Sequence, residues 1–341
     1  MMRVPSSQYP TVRSFRSMLP RLLVLAVAVT LAACGGDESP LAPADEPASD
    51  ALAPADGVAP ADAMAALTTP RILFTSYANM RGDLYLTDAQ GSTRTPLTTW
   101  ANTEFAPSWS YDHKRVAMVR FRTDATNAQH FDIYLMNADG TNKRWAKSYA
   151  SSFQIMAPSW SPDGSRLVVT VLLQNLPYVA TLDLATGTLS LVWYLGGGYA
   201  QGQDPSYDPT GKNILYIGSS QKTVDMVAPG GLHYGLAVSD TPVSGPTYSP
   251  DGKKVAYSRF VTGTNNSEVY VKTIATSAVT RLTKSGSYDG EPSWSPDGTR
   301  IAFASDRSGR PQIWTMSSST GGNLVRITNS SRDDGEPAWS H

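Results

Sequence analysis

Cysteine is nearly absent from this chain of 341 residues, in which Cys34 is the only one. A single thiol excludes a disulfide framework or a cysteine-based metal site within one chain. Histidine is scarce too, and the four are His113, His130, His233 and His341. Because they fall at unrelated positions of the chain's repeating unit, we expect no metal or catalytic site shared among them.

An excess of either charge is also lacking, since 28 Lys and Arg residues stand against 29 Asp and Glu residues, for a net charge of −1. A nearly neutral chain offers no basic surface to neutralise phosphates, so we expect no nucleic-acid partner. Gly-x-Ser-x-Gly, a phosphate-binding loop, His-Glu-x-x-His and a calcium loop do not occur in the sequence. We therefore expect no cofactor, while a cation such as Ca²⁺ held in a channel is left open.

The apolar run at residues 22–33 is too short to span a bilayer as a helix, which takes roughly 20 residues. It follows four arginines, which is the layout of an export signal. It ends in Leu-Ala-Ala-Cys, which resembles the bacterial lipobox, and this resemblance implies that Cys34 is lipidated. The alternative is an ordinary secretory signal cut near Ala33. We assign residues 1–33 to a signal peptide, and we hypothesise that Met18 is the true start because the stretch before the apolar run is long.

A spacer follows at residues 34–70. It contains seven acidic residues, no Lys or Arg, and three copies of Ala-Pro-Ala-Asp. With few large apolar side chains it cannot bury enough surface to offset the cost of ordering, and its prolines favour extended chain. The sequence therefore predicts a disordered linker that separates a folded domain from a membrane surface.

One short signature recurs through the rest of the chain. Its fullest copy is Glu-Pro-Ser-Trp-Ser-Pro-Asp-Gly at residues 291–298. Six copies share an anchoring proline, and these are Pro107, Pro158, Pro205, Pro246, Pro292 and Pro337. The prolines are 51, 47, 41, 46 and 45 residues apart, and such a period indicates a repeat architecture.

Each unit reads as four short β-strands. After the anchor, Ser-Pro-Asp-Gly suits a tight turn, because Pro presets φ and Gly ends the turn. Segments rich in β-formers follow at residues 300–305, 312–316 and 324–328. Tryptophan stands after the proline in four copies and tyrosine in two, and equivalent positions favour packing between neighbouring units over a stacking platform.

The two ends of the repeat region are offset from the repeats. Residues 71–76 correspond to a second strand, whereas residues 336–340 correspond to a first strand. Pairing the C-terminal strand with the N-terminal strands closes a ring and removes the exposed edge of a linear array. We predict an all-β, six-bladed β-propeller with four-stranded blades over residues 71–341.

These residues resemble the propeller repeats of the TolB-type family, which carry Pro-x-Trp-Ser-Pro-Asp-Gly, Ile-Ala-Phe-x-Ser and Arg-Leu-Thr. The resemblance covers roughly residues 71–341 and specifies the fold more than the function. The chain has a linker where the full-length family member has an N-terminal α/β domain. In the family, the mouth of the propeller channel receives partner peptides, and the resemblance implies that use here.

Carboxylates just before the anchoring prolines are the candidate binding residues. Asp204, Glu291 and Glu336 directly precede a proline, and Glu104, Asp289 and Asp334 stand three residues before one. We expect them to gather near one mouth of the channel, where their negative charges together would attract a cation or a basic peptide tail. The alternative is that each acid accepts hydrogen bonds from the turn of its own blade.

Among the tryptophans outside the repeated position are Trp100, Trp145 and Trp193. They are better candidates for ligand contact than the anchor tryptophans, although packing is the simpler interpretation.

The sequence as a whole favours a non-enzymatic, lipid-anchored monomer that binds a protein or peptide partner. Its expected place is the bacterial cell envelope, on the periplasmic face of the outer membrane or at the cell surface. The alternatives are an envelope-assembly component, a carbohydrate-binding propeller or a polysaccharide-active enzyme such as an oligogalacturonate lyase. A lyase needs a base together with a cation or an Arg clamp in the channel.

Overall fold

The computed structural model describes residues 70–79, 81–100, 102–123, 129–147, 154–264 and 266–340. Within them the regular structure is β-strand apart from one 3-10 turn, Pro229–Gly231. In this part of the chain no helix is long and apolar enough to cross a membrane. The predicted signal peptide, the lipidation site Cys34, most of the linker and His341 lie outside the described residues.

Twenty-four strands form six four-stranded blades, and the first strand of each blade is the innermost. Blade 1 consists of β26 (Asp333–Trp339), β1 (Arg71–Ala78), β2 (Arg81–Asp88) and β3 (Thr95–Pro96). Blade 2 consists of β4 (Thr103–Trp109), β5 (Arg115–Thr123), β6 (Gln129–Asn137) and β7 (Arg144–Lys147). Blade 3 consists of β8 (Gln154–Trp160), β9 (Arg166–Leu173), β10 (Leu176–Asp183) and β11 (Leu189–Leu191). One parallel bridge, between Phe131 of β6 and Gln154 of β8, joins blades 2 and 3 into a single sheet.

The remaining three blades follow the same plan. Blade 4 consists of β14 (Gly202–Tyr207), β15 (Ile214–Gly218), β16 (Thr223–Ala228) and β17 (Leu232–Val238). Blade 5 consists of β18 (Val243–Tyr248), β19 (Lys254–Phe260), β20 (Ser267–Thr273) and β21 (Val279–Arg281). Blade 6 consists of β22 (Asp289–Trp294), β23 (Arg300–Ser305), β24 (Gln312–Ser317) and β25 (Val325–Arg326). Two further strands, β12 (Trp193–Tyr194) and β13 (Gly198–Tyr199), form a separate hairpin between blades 3 and 4.

The ring closes through strands from opposite ends of the described chain. β26 pairs antiparallel with β1, so that Trp339 lies opposite Ile72. The Ser340 N–H donates to the Arg71 carbonyl at 2.8 Å, and the Arg71 N–H donates to Ser340 Oγ at 2.9 Å. The inner strands contact one another in the order β4, β8, β14, β18, β22, β26 and back to β4. The predicted propeller fold and its closure are confirmed.

Connections alternate between the two faces of the ring because every blade is antiparallel. We call the face with the turns between first and second strands the turn face. The opposite face, where each fourth strand leads to the first strand of the next blade, we call the loop face. Each inner strand therefore begins at the loop face and runs toward the turn face.

The Ser-Pro-Asp-Gly segment makes the predicted turn. In blade 6 the Gly298 N–H donates to the Ser295 carbonyl at 2.9 Å, and Ser295 Oγ donates to Asp297 Oδ1 at 2.6 Å. Gly298 has φ of 69°, a left-handed conformation that a side chain disfavours. The Ser295 hydroxyl, by hydrogen bonding to the carboxylate, lowers the pKa of Asp297.

The anchor tryptophans join neighbouring blades. Trp160 is 1% exposed, and its indole N–H donates to the Ser108 carbonyl of blade 2 at 3.1 Å. The Trp294 indole N–H likewise donates to the Thr247 carbonyl of blade 5 at 3.3 Å. These aromatic side chains are core, as their equivalent positions predict.

Candidate functional site

The residue before each anchoring proline has the same unusual backbone conformation. Its φ is positive, between 50° and 57°, at Ala106, Ala157, Asp204, Gly245, Glu291 and Glu336. Left-handed φ is uncommon for residues other than glycine. The ladder between the first and second strands also shifts register at this point in every blade. Each inner strand therefore carries a β-bulge just before its proline, and bulges re-aim side chains.

Two of the predicted carboxylates are joined through this ring of bulges. The Glu336 N–H donates to Glu291 Oε2 at 2.6 Å, from blade 1 to blade 6. The Ala106 N–H of blade 2 donates in turn to Glu336 Oε2 at 2.7 Å. Thr75 Oγ1 donates to the same oxygen at 2.9 Å. Glu291 and Glu336 thus lie on adjacent inner strands, each fixed by the backbone of the following blade.

The third residue of this kind, Asp204, occupies the same position in blade 4. The Gly245 N–H of blade 5 donates to Asp204 Oδ2 at 3.3 Å. In two cases where the preceding blade has Ala157 or Gly245 instead of an acid, a hydroxyl on the second strand of that blade accepts a hydrogen bond from the backbone N–H of the next acid. Thr170 Oγ1 accepts from the Asp204 N–H, and Ser258 Oγ accepts from the Glu291 N–H, both at 3.1 Å.

These contacts show which blade supplies the hydrogen-bond donors to the acids before the prolines. The acids before the prolines accept hydrogen bonds from the neighbouring blade, and Glu336 also accepts one from Thr75 of its own blade. Glu291 is 9% exposed, and Asp204 and Glu336 are half-buried. The other three positions of the ring hold only Ala or Gly. The six residues before the anchoring prolines, which form the ring of bulges, are therefore three acids and three small residues.

The acids three residues before a proline are placed differently. Asp334 is fully buried and pairs with Arg94 through two hydrogen bonds, of 2.9 and 3.1 Å. Asp289 is also fully buried and accepts from Arg307 at 2.8 Å. In each case the partner belongs to the same blade. We therefore give these two acids a structural role in place of the expected position at the channel mouth.

The arginines in these pairs lie against aromatic rings. Arg94 stacks over Phe74 and Tyr85, with 5.0 and 4.4 Å to the ring centroids. Arg307 lies over Phe303 and Trp314 at 5.2 and 5.3 Å. The cation–π contacts and the ion pair together offset the cost of placing each arginine guanidinium between the strands.

Glu104 is a buried acid with weaker compensation. It is fully buried, and Arg120 Nε lies 3.9 Å from its Oε1. Burial penalises the charged form more than Arg120 offsets, and it raises the pKa of Glu104 to about 8. Asp83 contributes further in the same direction. Glu104 is therefore placed in the core and not on an open rim.

Of the three tryptophans considered as candidates for ligand contact, two pack within blade 2. Trp100 and Trp145 each make an edge contact with Tyr134, with centroids 5.2 and 5.7 Å apart. Trp193 differs, because 55% of it is exposed.

The histidines that the structure describes lie in different settings. His233 Nε2 is 2.9 Å from the Tyr216 hydroxyl and 3.7 Å from Asp225 Oδ2, and its ring stacks on Tyr194. His113 lies in the turn after β4 and His130 on β6. Among the residues with described positions, no group of three or more His, Cys, Asp or Glu side chains could hold a metal ion.

A closed ring of antiparallel four-stranded blades, joined by an aromatic anchor on each inner strand, defines a β-propeller. The chain belongs to the TolB beta propeller domain family (PD40), which matches residues 66–232 and 234–341. The predicted resemblance is thereby confirmed.

Individual relatives agree with this assignment. The Tol-Pal system protein TolB of Francisella tularensis subsp. tularensis is 38% identical over 90 residues, which is 26% of this chain and 20% of that protein. TolB from Acinetobacter baumannii has a TM-score of 0.67 at 25% identity, covering 79% of this chain and 66% of that one. A putative TolB from Agrobacterium tumefaciens has the same fold, with a TM-score of 0.56 at 18% identity over 78% of this chain and 92% of that one. The sequence match thus spans a fifth of the curated relative.

Proposed function

We propose that this chain is a lipid-anchored protein of the bacterial cell envelope that binds a protein or peptide through its propeller channel and catalyses no reaction. The observation that carries the proposal is the pair of joined carboxylates, Glu291 and Glu336, on adjacent inner strands. The proposed location is the periplasmic face of the outer membrane or the cell surface, with Cys34 as the site of lipid attachment.

The chemistry of the pair favours a cationic ligand group. Backbone N–H groups hold one oxygen of each carboxylate in place, so the charges are fixed before any ligand arrives. In the described part of the chain, no Lys or Arg forms an ion pair with Glu336. A narrow site of one sign focuses the electric field and attracts the opposite charge.

The size of the neighbouring side chains favours an extended peptide. Ala106, Ala157 and Gly245 occupy the remaining ring positions apart from Asp204. Small residues there leave room for a backbone with a Lys, an Arg or a terminal ammonium group. The membership of the chain in the TolB propeller family, and the curated relative named as a Tol-Pal system protein, support a protein partner in the envelope.

The test measures binding of a defined probe, a fluorescent ten-residue Lys/Ala peptide, with a Glu/Ala peptide of equal length as comparison. We expect the basic peptide to bind more tightly and its affinity to fall with added salt. Replacing Glu291 and Glu336 by Gln keeps an acceptor oxygen but removes both charges, and it should weaken binding about ten-fold or more.

A matched control removes two charges from the turn face. Asp251→Asn with Asp297→Asn changes the net charge equally and should leave the affinity within about two-fold. If both double variants weakened peptide binding equally, the loss of affinity would be explained by the change in net charge alone. No preference for the basic peptide would overturn the proposed site.

Two further measurements check the rest of the proposal. Mass spectrometry of the mature protein should show an N-terminal diacylglyceryl-cysteine at Cys34, which the Cys34→Ser variant must lack. Incubation with polygalacturonate should yield no unsaturated product. Release of such a product would instead favour the polysaccharide-active alternative.

A further inference from the structure

The hairpin β12–β13 exposes an apolar surface that the repeat does not require. Trp193 is 55% exposed, Leu195 58% and Tyr199 54%. Trp193 and Tyr199 are direct partners across the hairpin, so their side chains lie on the same face. We call these three residues the hairpin patch.

The rest of the hairpin fixes this patch in position. The Leu195 N–H donates to the Gly231 carbonyl at 2.7 Å, and the Trp193 ring lies close to Gly231. Tyr194 stacks on His233, with ring centroids 5.1 Å apart. The tip is open: Gly196 has φ of 113°, and no other part of the described chain approaches its α-carbon on the side-chain side. The hairpin is therefore held against the Gly231 segment through Leu195 and Tyr194, while Gly196 and Gly197 in its turn face open space on the side-chain side.

This region of the surface has no formal charge along the chain. Residues 184–203 contain no Asp, Glu, Lys or Arg, and neither do residues 226–239. The contact of Leu195 with Gly231 brings the two segments together. Exposed apolar surface without charges is typical of contact with a partner or a membrane.

We propose that the hairpin patch is a membrane-contact element that enters the headgroup region of a lipid bilayer. Trp and Tyr concentrate at that depth because their rings are apolar at one end and polar at the other. The absence of Lys and Arg from residues 184–203 indicates apolar insertion and not attraction to anionic lipid.

Chain length brings a bilayer within reach. Residues 35–70 separate Cys34 from β1, which permits a span of up to about 120 Å. This step rests on the proposed lipid anchor, whereas the chemistry of the hairpin patch does not. Membrane contact by the patch would orient the propeller with respect to the bilayer, which an anchor on a long linker alone does not do.

The experiment uses the mature chain, residues 34–341, with Cys34→Ser, so that neither a lipid nor the apolar run of the signal peptide contributes to membrane binding. This protein should co-sediment with phosphatidylcholine vesicles. Its tryptophan fluorescence should shift to shorter wavelength when the vesicles are added. Trp193→Ser with Tyr199→Ser should lower the partition coefficient about ten-fold or more. Replacing phosphatidylcholine partly by phosphatidylglycerol should change it by less than about two-fold.

The control replaces two exposed apolar residues outside the hairpin, Val279→Ser and Leu324→Ser, which are 49% and 45% exposed. It should leave vesicle binding unchanged, and circular dichroism should show the same fold for all variants. Vesicle binding that survives Trp193→Ser with Tyr199→Ser overturns the proposal, as does no binding by the Cys34→Ser chain. A lipid-free dimer that these two substitutions dissociate would assign the patch to a second copy instead.

Because lipid attachment and vesicle binding are measured on different proteins, the two ideas fail separately. Absence of acylation at Cys34 leaves a positive vesicle result intact. Failure of the Cys34→Ser chain to bind vesicles leaves acylation of the natural chain intact.

Discussion

The Glu336 N–H lies 2.6 Å from Glu291 Oε2, so a carboxylate of one blade accepts a hydrogen bond from the backbone of the next. The same carboxylates are the proposed ligand site. Structural and binding roles can be separated because the amide of Gln retains an acceptor oxygen without the charge.

Glu336→Ala should destabilise the ring more than Glu336→Gln. Alanine removes the acceptor for the Ala106 N–H and for Thr75 Oγ1, and leaving a buried donor unpaired costs about 1–3 kcal/mol. Chemical denaturation of both variants measures the difference. Equal losses for Ala and Gln would show that the charge, and not the acceptor, stabilises the bulge.

Trp294→Ala should lower the free energy of unfolding by about 3–5 kcal/mol, because a large buried ring is replaced by a cavity. Trp294→Tyr should cost less, since Tyr207 and Tyr248 fill the equivalent position in blades 4 and 5. Trp193→Ala is the control, and as an exposed change it should stay within about 0.5 kcal/mol. Thermal unfolding that ranks Trp193→Ala with Trp294→Ala would contradict this assignment.

Glu104 should make the folded state less stable as the pH rises. Its pKa is raised from 4.5 to about 8 in the folded chain, so between these values the folded state holds a proton that the unfolded state has released. The unfolded state then binds fewer protons, and the free energy of unfolding falls with increasing pH. Glu104→Gln should therefore raise the melting temperature relative to the natural chain at pH 8.5, and the gain should shrink toward pH 4.5. A gain that does not depend on pH would contradict the assignment.

Arg307→Met should cost about 3–5 kcal/mol because it leaves the buried Asp289 carboxylate without its ionic partner. Arg307→Met combined with Asp289→Asn should recover part of that loss. Urea unfolding of the two single variants and the double variant gives the coupling free energy. Additive losses would show that the two residues stabilise blade 6 independently.

The fold could be predicted from the sequence because its determinants are local and repeated. Ser295 to Gly298 encode a turn through their own side chains and φ preferences, and the offset between residues 71–76 and 336–340 indicates ring closure. Both features concern backbone geometry that a few neighbouring residues decide.

The arrangement of the acids could be predicted only in part. Their positions before the prolines are visible in the sequence, but residues before proline ordinarily adopt extended backbone, so the positive φ of Glu291 is not expected. The pairing of Arg94 with Asp334 joins residues 240 apart in the chain. No local sequence pattern predicts such a contact. The recurrence of Arg near the aromatic positions is the available sign that an arginine pairs with these acids.

The hairpin β12–β13 was missed for a different reason. Its strands have two residues each, and its glycine-rich connection reads as loop. The signal available was the lack of charge across residues 184–203.

Pairing of Ile72 with Trp339 sets an order of events during biosynthesis. Strands β1 to β3 are synthesised before the other strands, yet they gain their inner neighbour, β26, only when the final segment arrives. Until then the edge of β1 remains open to other chains, and the interval lasts for nearly the whole synthesis of the domain. A chaperone that shields unpaired strands would thus act chiefly on the first strands of the propeller to be made.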